Sequence, residues 1–170
     1  MHLGERAQPL FWPVVIGPRE PRGWWDYDGM TLGVQQGDDR PSGRVLEQRV
    51  RNRVMEYLAL AASYEEQQQH EAAAPIVHAP DEVINQWEDN FPRGLEQDLE
   101  RATVYGTNEV EALRHVRDAW ESACHAAPEV YPPLRDVQVL PEWKQLRRAA
   151  EAALTVFEER GVMPEDREVP

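Results

Sequence analysis

The chain has 170 residues, 41% of them hydrophobic, with 18 basic against 31 acidic side chains, a formal net charge of −13 and one cysteine. That length suits one ordinary domain with its own core, and the charge opposes binding to nucleic-acid phosphates and anionic lipid. No apolar run reaches the roughly 20 residues needed to span a bilayer, and a lone Cys124 rules out an internal disulfide and fits a reducing cytoplasm.

The first residues, Met1 to Arg6, lack the apolar stretch of a signal peptide, so a cytoplasmic location is expected. Lys144 is the single lysine; the preference for arginine reads as the codon effect of a GC-rich, bacterial genome. Leu10 to Gly17 reads as a short strand that Pro13 confines to an edge or a strand start. Trp24 to Tyr27 and Met30 to Gln35 flank Asp28-Gly29, a two-residue turn signal because both residues tolerate positive φ. Residues 10–36 are therefore expected to form a small antiparallel hairpin or three-stranded sheet.

A long helix is expected over 42–74, with Ser42 as its cap and Pro75 as its stop. Leu46, Val50, Val54, Tyr57, Leu58, Ala61 and Tyr64 recur at steps of three and four and give it one apolar face. Asn52, Glu56, Ser63, Glu66 and His70 are placed outward. At about 1.5 Å per residue it would be roughly 40 Å long, overhanging its neighbours and needing a cover from the hairpin or a second subunit. A second helix, 80–91, starts on Pro80 with Asp81 and Glu82 against its dipole and turns Val83, Ile84, Trp87 and Phe91 inward. Leu95 to Val104 holds a turn or two of helix. A third helix, 107–127, is opened by Asn108 and Glu111 at capping-box spacing, with Val110, Leu113, Val116, Arg117, Trp120 and Cys124 on one face. After a proline-rich connection, a fourth helix, 141–160, buries Trp143, Leu146, Ala150, Leu154 and Phe157, and Gly161 closes it. Residues 163–170 read as a loose acidic tail.

The fold expected is mainly α: a four-helix single domain spanning 1–170 with the small N-terminal sheet packed on it, on the border of α+β. No nucleophile elbow, phosphate loop, dinucleotide fingerprint or metal signature is present, and no cofactor is implied. Glu66/His70, Glu111/His115 and Glu121/His125 are weak metal candidates, each pair sharing a helical face. Residues 111 and 121 lie about 80° apart around a helix, and ordinary i,i+4 pairing accounts for all three. Asp26, Asp28, Asp38 and Asp39 lack the further oxygen ligands of a calcium loop. Glu142 and Lys144, spaced as in some metal nucleases, sit at a helix start. Cys124 reads as a buried structural thiol, since His125 points about 100° away. Arg44, Arg49, Arg51 and Arg53 read as partners for carboxylates, with Arg51 turned away from the apolar edge.

For function, the leading expectation is a non-enzymatic protein of immunity or adaptor type that binds another, basic, protein. Trp24, Trp25, Asp26 and Asp28, with Glu88 and Asp89, are the partner-binding candidates, because an aromatic anchor beside carboxylates suits a cationic surface. The alternatives are a metal-dependent enzyme or small-ligand-binding helical protein, and a self-associating structural protein, a homodimer joined through the long helix.

Overall fold

The computed structural model describes residues 40–73, 78–126 and 132–169. The expected sheet of residues 10–36 lies outside them. Helices run over Gly43–Ala62 (α1), Tyr64–Ala73 (α2), Ala79–Asn90 (α3), Leu95–Leu99 (α4), Thr107–Ala126 (α5), Leu134–Val137 (α6) and Pro141–Glu158 (α7), and no strand occurs among the described residues.

α7 is the shared wall. It packs along α1 on one side and α5 on the other, while α3 leans on α1 and α2. Pro141 starts α7, where its missing N–H costs nothing. Trp143, Leu146, Ala150, Ala153 and Phe157 then form one buried stripe. Ala153 takes the place expected of Leu154, which is half-buried. Ala119 and Ala123 on α5 are buried as well, and small side chains on both helices let the backbones approach closely. Val54, Leu58 and Ala61 of α1 and Val83 and Trp87 of α3 complete the core. Burying side chains of this size contributes about 1.5–3 kcal/mol each.

The expected long helix is broken. Ser63 adopts an extended conformation, φ −121° and ψ 116°, between α1 and α2. Its hydroxyl accepts the Glu66 N–H at 3.1 Å, making Ser63 the cap of α2. The break is fixed from outside by Gln67, which is fully buried. Its amide donates to the carbonyls of Leu60 and Ala61 at 3.1 and 3.3 Å. Its own oxygen accepts from Gln138 and Trp143 at 3.2 and 3.4 Å. α1 alone has 20 residues, as α5 does, so the overhang that called for a cover is absent from it.

The inward face of α1 also differs from expectation. Leu46 and Val50 are 48% and 37% exposed, whereas Gln48, Arg51 and Asn52, the last expected outward, are buried. The cause is the C-terminal segment, which is not loose. Gly161, at φ 67°, turns the chain back after α7, and residues 163–169 then run along α1. Asn52 donates to the Met163 carbonyl and accepts the Met163 N–H, both at 2.9 Å. Gln48 donates to the Pro164 and Arg167 carbonyls at 2.6 and 2.8 Å and accepts the Val169 N–H at 2.9 Å. Met163 is itself buried. A polar stripe on α1 thus satisfies an extended backbone that has no sheet to join.

The start of α5 is set by a different residue pair from the one expected. Gly106 accepts the Val110 N–H at 3.0 Å through its carbonyl, and the Glu109 carboxylate reaches back to the Gly106 N–H at 2.9 Å. Asn108 and Glu111 lie beyond that cap, and both are exposed. At the start of α1, close to the segment that leads into α5, Ser42 is the cap, accepting the Val45 N–H at 3.3 Å.

Candidate functional site

The described residues of the expected partner surface are Glu88 and Asp89, at the end of α3. Helical spacing turns Val83, Ile84 and Trp87 inward, which leaves residues 88 and 89 exposed. They edge a depression of about 580 Å³ whose lining includes Trp87, Phe91, Leu95, Arg117, Trp120 and Glu121. Trp87 stacks on Trp120, ring centres 6.2 Å apart, and meets Phe91 at 4.8 Å with the rings tilted 49°. The Trp120 indole N–H donates to the Ile84 carbonyl at 3.1 Å, which fixes the ring across the α3–α5 junction. The edge of Trp120 stays half-buried.

The charge of this shelf is negative in effect. Arg117 is the one cation among the described residues that line it, and it is occupied by Glu96 at 2.9 Å and Asp118 at 2.8 Å, with Glu121 at 3.9 Å. Hydrogen bonding from Arg114, aided by Arg117, holds the Glu96 carboxyl below its ordinary range, and these carboxylates in turn hold both guanidiniums above theirs. Among the described residues, Glu88 and Asp89 have no such cationic partner.

The other candidates fall elsewhere. Trp24, Trp25, Asp26, Asp28, Asp38 and Asp39 lie outside the described residues. Glu66, Glu111, His115, Glu121 and His125 are exposed and His70 is half-buried, and no group of three His, Cys, Asp or Glu able to hold a metal ion occurs among the described residues. His125 is tied to the Glu121 carbonyl at 2.6 Å. Lys144 is exposed one position from buried Trp143. Cys124 is half-buried against the core instead of fully buried, close enough to Tyr57 to help burial raise the pKa of that phenol.

Sequence reasoning missed the most enclosed charges. Arg51, expected to turn away from the core, is fully buried and donates to Glu109 through Nε at 3.2 Å and Nη2 at 2.5 Å. It also donates to the Gly161 and Phe157 carbonyls at 2.8 and 3.2 Å and lies over the Phe157 ring. Arg160 meets the other Glu109 oxygen at 2.9 Å. Glu109 therefore joins the beginning of α5, the middle of α1 and the end of α7. Its two oxygens accept from Arg51, from Arg160 and from the Gly106 N–H, so the cluster ties the three helices together. Arg44 and Arg49, from the same sequence cluster, bind the Val169 and Glu165 carbonyls at 2.9 and 2.6 Å instead of carboxylates.

No protein-family model, curated protein or solved structure matches the chain.

Proposed function

We propose that this chain is a non-enzymatic binding protein, of immunity or adaptor type, whose acidic shelf at α3 and α5 docks a basic protein. The observation that supports it is the juxtaposition of open carboxylates at Glu88 and Asp89 with the half-buried Trp120, over a depression whose one lining cation among the described residues, Arg117, is already occupied by acids. An aromatic floor supplies desolvated contact area, and rim carboxylates steer a cationic partner and fix its register. The overall charge of −13 acts in the same direction at long range. Trp24, Trp25, Asp26 and Asp28 are proposed as partner-binding residues of their own segment, and the setting proposed is the bacterial cytoplasm.

The test is affinity capture with the full chain from its host and phage lysates, followed by measured binding of each purified candidate at low and high salt. The expected partner is basic, weakens steeply with salt, and loses tenfold or more in affinity against Glu88→Lys/Asp89→Lys, a change of about 1.4 kcal/mol or more. Asp26→Lys/Asp28→Lys is the second arm. A partner bound equally well by both charge-reversed chains, with melting temperatures unchanged, would contradict the reading.

A further inference from the structure

A second concavity adjoins the acidic shelf, sharing Asp89, Phe91 and Pro92 with it, between the outer face of α1, the α3–α4 turn and residues 101–105. It encloses about 290 Å³ and is lined by Leu46, Val50, Phe91, Pro92, Ala102 and Tyr105 together with six charged side chains and Asn90. Leu46 and Val50 are two of the four large hydrophobic side chains found exposed among the described residues, the others being Val139 and Val162. Their meeting at one groove accounts for an apolar surface that the core does not use.

The charges around it are not equivalent. Glu47 accepts from the Thr103 N–H and hydroxyl at 2.9 and 3.1 Å. Asp98 is bound by the Arg93 guanidinium and by the Arg93 N–H at 3.4 Å. Arg53 and Arg101 are exposed, and neither guanidinium has a hydrogen-bond or ion-pair partner among the described residues. Asp89, shared with the acidic shelf, is the remaining open acid. The charge left open at the groove is therefore positive, on a chain whose total is −13. Tyr105 contributes to the lining, while its hydroxyl is buried and has no hydrogen-bond partner among the described residues.

We infer that this groove binds a small apolar carboxylate, its hydrocarbon body on Leu46, Val50 and Phe91 and its carboxylate held by Arg53 and Arg101. The planar guanidinium fork matches a carboxylate with two parallel hydrogen bonds and sheds its water more easily than an ammonium would. A neutral ligand would leave both cations unanswered, and a cationic one would meet them directly. The volume of about 290 Å³ is close to the smallest ligand sites, roughly 300 Å³, and suits a small molecule. The assignment shares Asp89, Phe91 and Pro92 with the acidic shelf but rests on different charges, Arg53 and Arg101.

The experiment is a titration of the full chain, labelled with nitrogen-15, with octanoate and with octanamide of the same length. Saturable shifts in the amides of Leu46, Val50 and Ala102 are expected with octanoate, and binding about fivefold or more weaker with octanamide. Arg53→Gln/Arg101→Gln is expected to weaken octanoate about tenfold while the melting temperature holds, since both side chains are exposed. Leu46→Ser should weaken both ligands alike. Equal affinity for the acid and the amide, indifference to the double arginine change, or no saturable shift at millimolar octanoate would each overturn the assignment.

Discussion

Arg51 and Glu109 stand 58 positions apart and meet at 2.5 Å, both almost completely removed from solvent. Such a pair gains little over a well-packed apolar replacement, but removing one member strands the other charge in a low-dielectric site. Glu109→Leu is therefore expected to cost about 3–5 kcal/mol, and Arg51→Met a similar amount. The double change Arg51→Met/Glu109→Leu should cost clearly less than their sum. Urea denaturation in a double-mutant cycle measures this, and additive losses would show that the two residues act separately.

Tyr57 and Tyr105 make stability fall on the alkaline side. Burial raises both phenols above their ordinary range, Tyr57 more strongly, and neither hydroxyl has a hydrogen-bond partner among the described residues. A group whose folded pKa is raised stabilises fully below its unfolded pKa, near 10, and loses that contribution as pH climbs. Above about pH 10 the unfolded chain releases protons that the folded chain retains. Each tyrosine should then remove about 1.4 kcal/mol per pH unit. Tyr57→Phe deletes an unsatisfied hydroxyl, so at neutral pH it is expected to be neutral or stabilising by about 1 kcal/mol. Melting temperatures of the parent and Tyr57→Phe between pH 7 and about pH 11 would check this; parallel curves would count against it.

The C-terminal segment should be worth several kcal/mol despite its acidic, open-looking sequence. Asn52 makes a reciprocal pair of bonds with the Met163 backbone and a third to Glu165 at 3.1 Å. At about 1 kcal/mol per bond, Asn52→Ala should cost about 2–3 kcal/mol. The backbone N–H groups of Met163 and Val169, both bonded to α1 side chains, should exchange hydrogen slowly in the parent. In Asn52→Ala, Met163 should speed up first. Fast exchange at both sites in the parent would contradict the observed docking.

Much of the helical framework was legible because core-facing residues repeat at helical spacing, as in α7 from Trp143 to Phe157 and in α3 from Val83 to Trp87. The polar side of α1 was not. Gln48, Arg51 and Asn52 look like a solvated edge until the returning segment after Gly161 and the Glu109 carboxylate are placed against them. That is information carried by residues more than 50 positions away. The same holds for Leu46 and Val50, which continue the apolar stripe in sequence but fall on the outer face of α1, beside buried Val45 and Gln48. Ser63 did carry a local signal, Ser63-Tyr64-Glu65-Glu66, the spacing of a capping box inside an otherwise unbroken helical pattern. Of the candidate surface, Glu88 and Asp89 could be read as exposed from helical phase alone. The pairing of Trp87 with Trp120 needed the packing of α3 on α5.

The α1–α2 break offers a test of how local capping and tertiary contacts divide the work. Ser63 supplies one bond to the Glu66 N–H, so Ser63→Ala should cost about 1 kcal/mol. Gln67 satisfies two carbonyls at the end of α1 and accepts from two side chains that follow α5 in the chain, Gln138 and Trp143. Gln67→Leu keeps the volume but removes this partner from the Ala61 carbonyl and from the Gln138 and Trp143 donors, while the Leu60 carbonyl keeps the Ser63 N–H at 3.4 Å, at about 1–3 kcal/mol for each group that water cannot reach. Total losses should therefore exceed those of Ser63→Ala severalfold, with helix content by circular dichroism unchanged. Gln67→Glu keeps an acceptor for Gln138 and Trp143 but turns an anion towards the Leu60 and Ala61 carbonyls, and is expected to be worse than Leu at neutral pH and to improve as acid neutralises it. If Gln67→Leu instead matches the parent in denaturant midpoint, the cap at Ser63 alone decides where the helix stops.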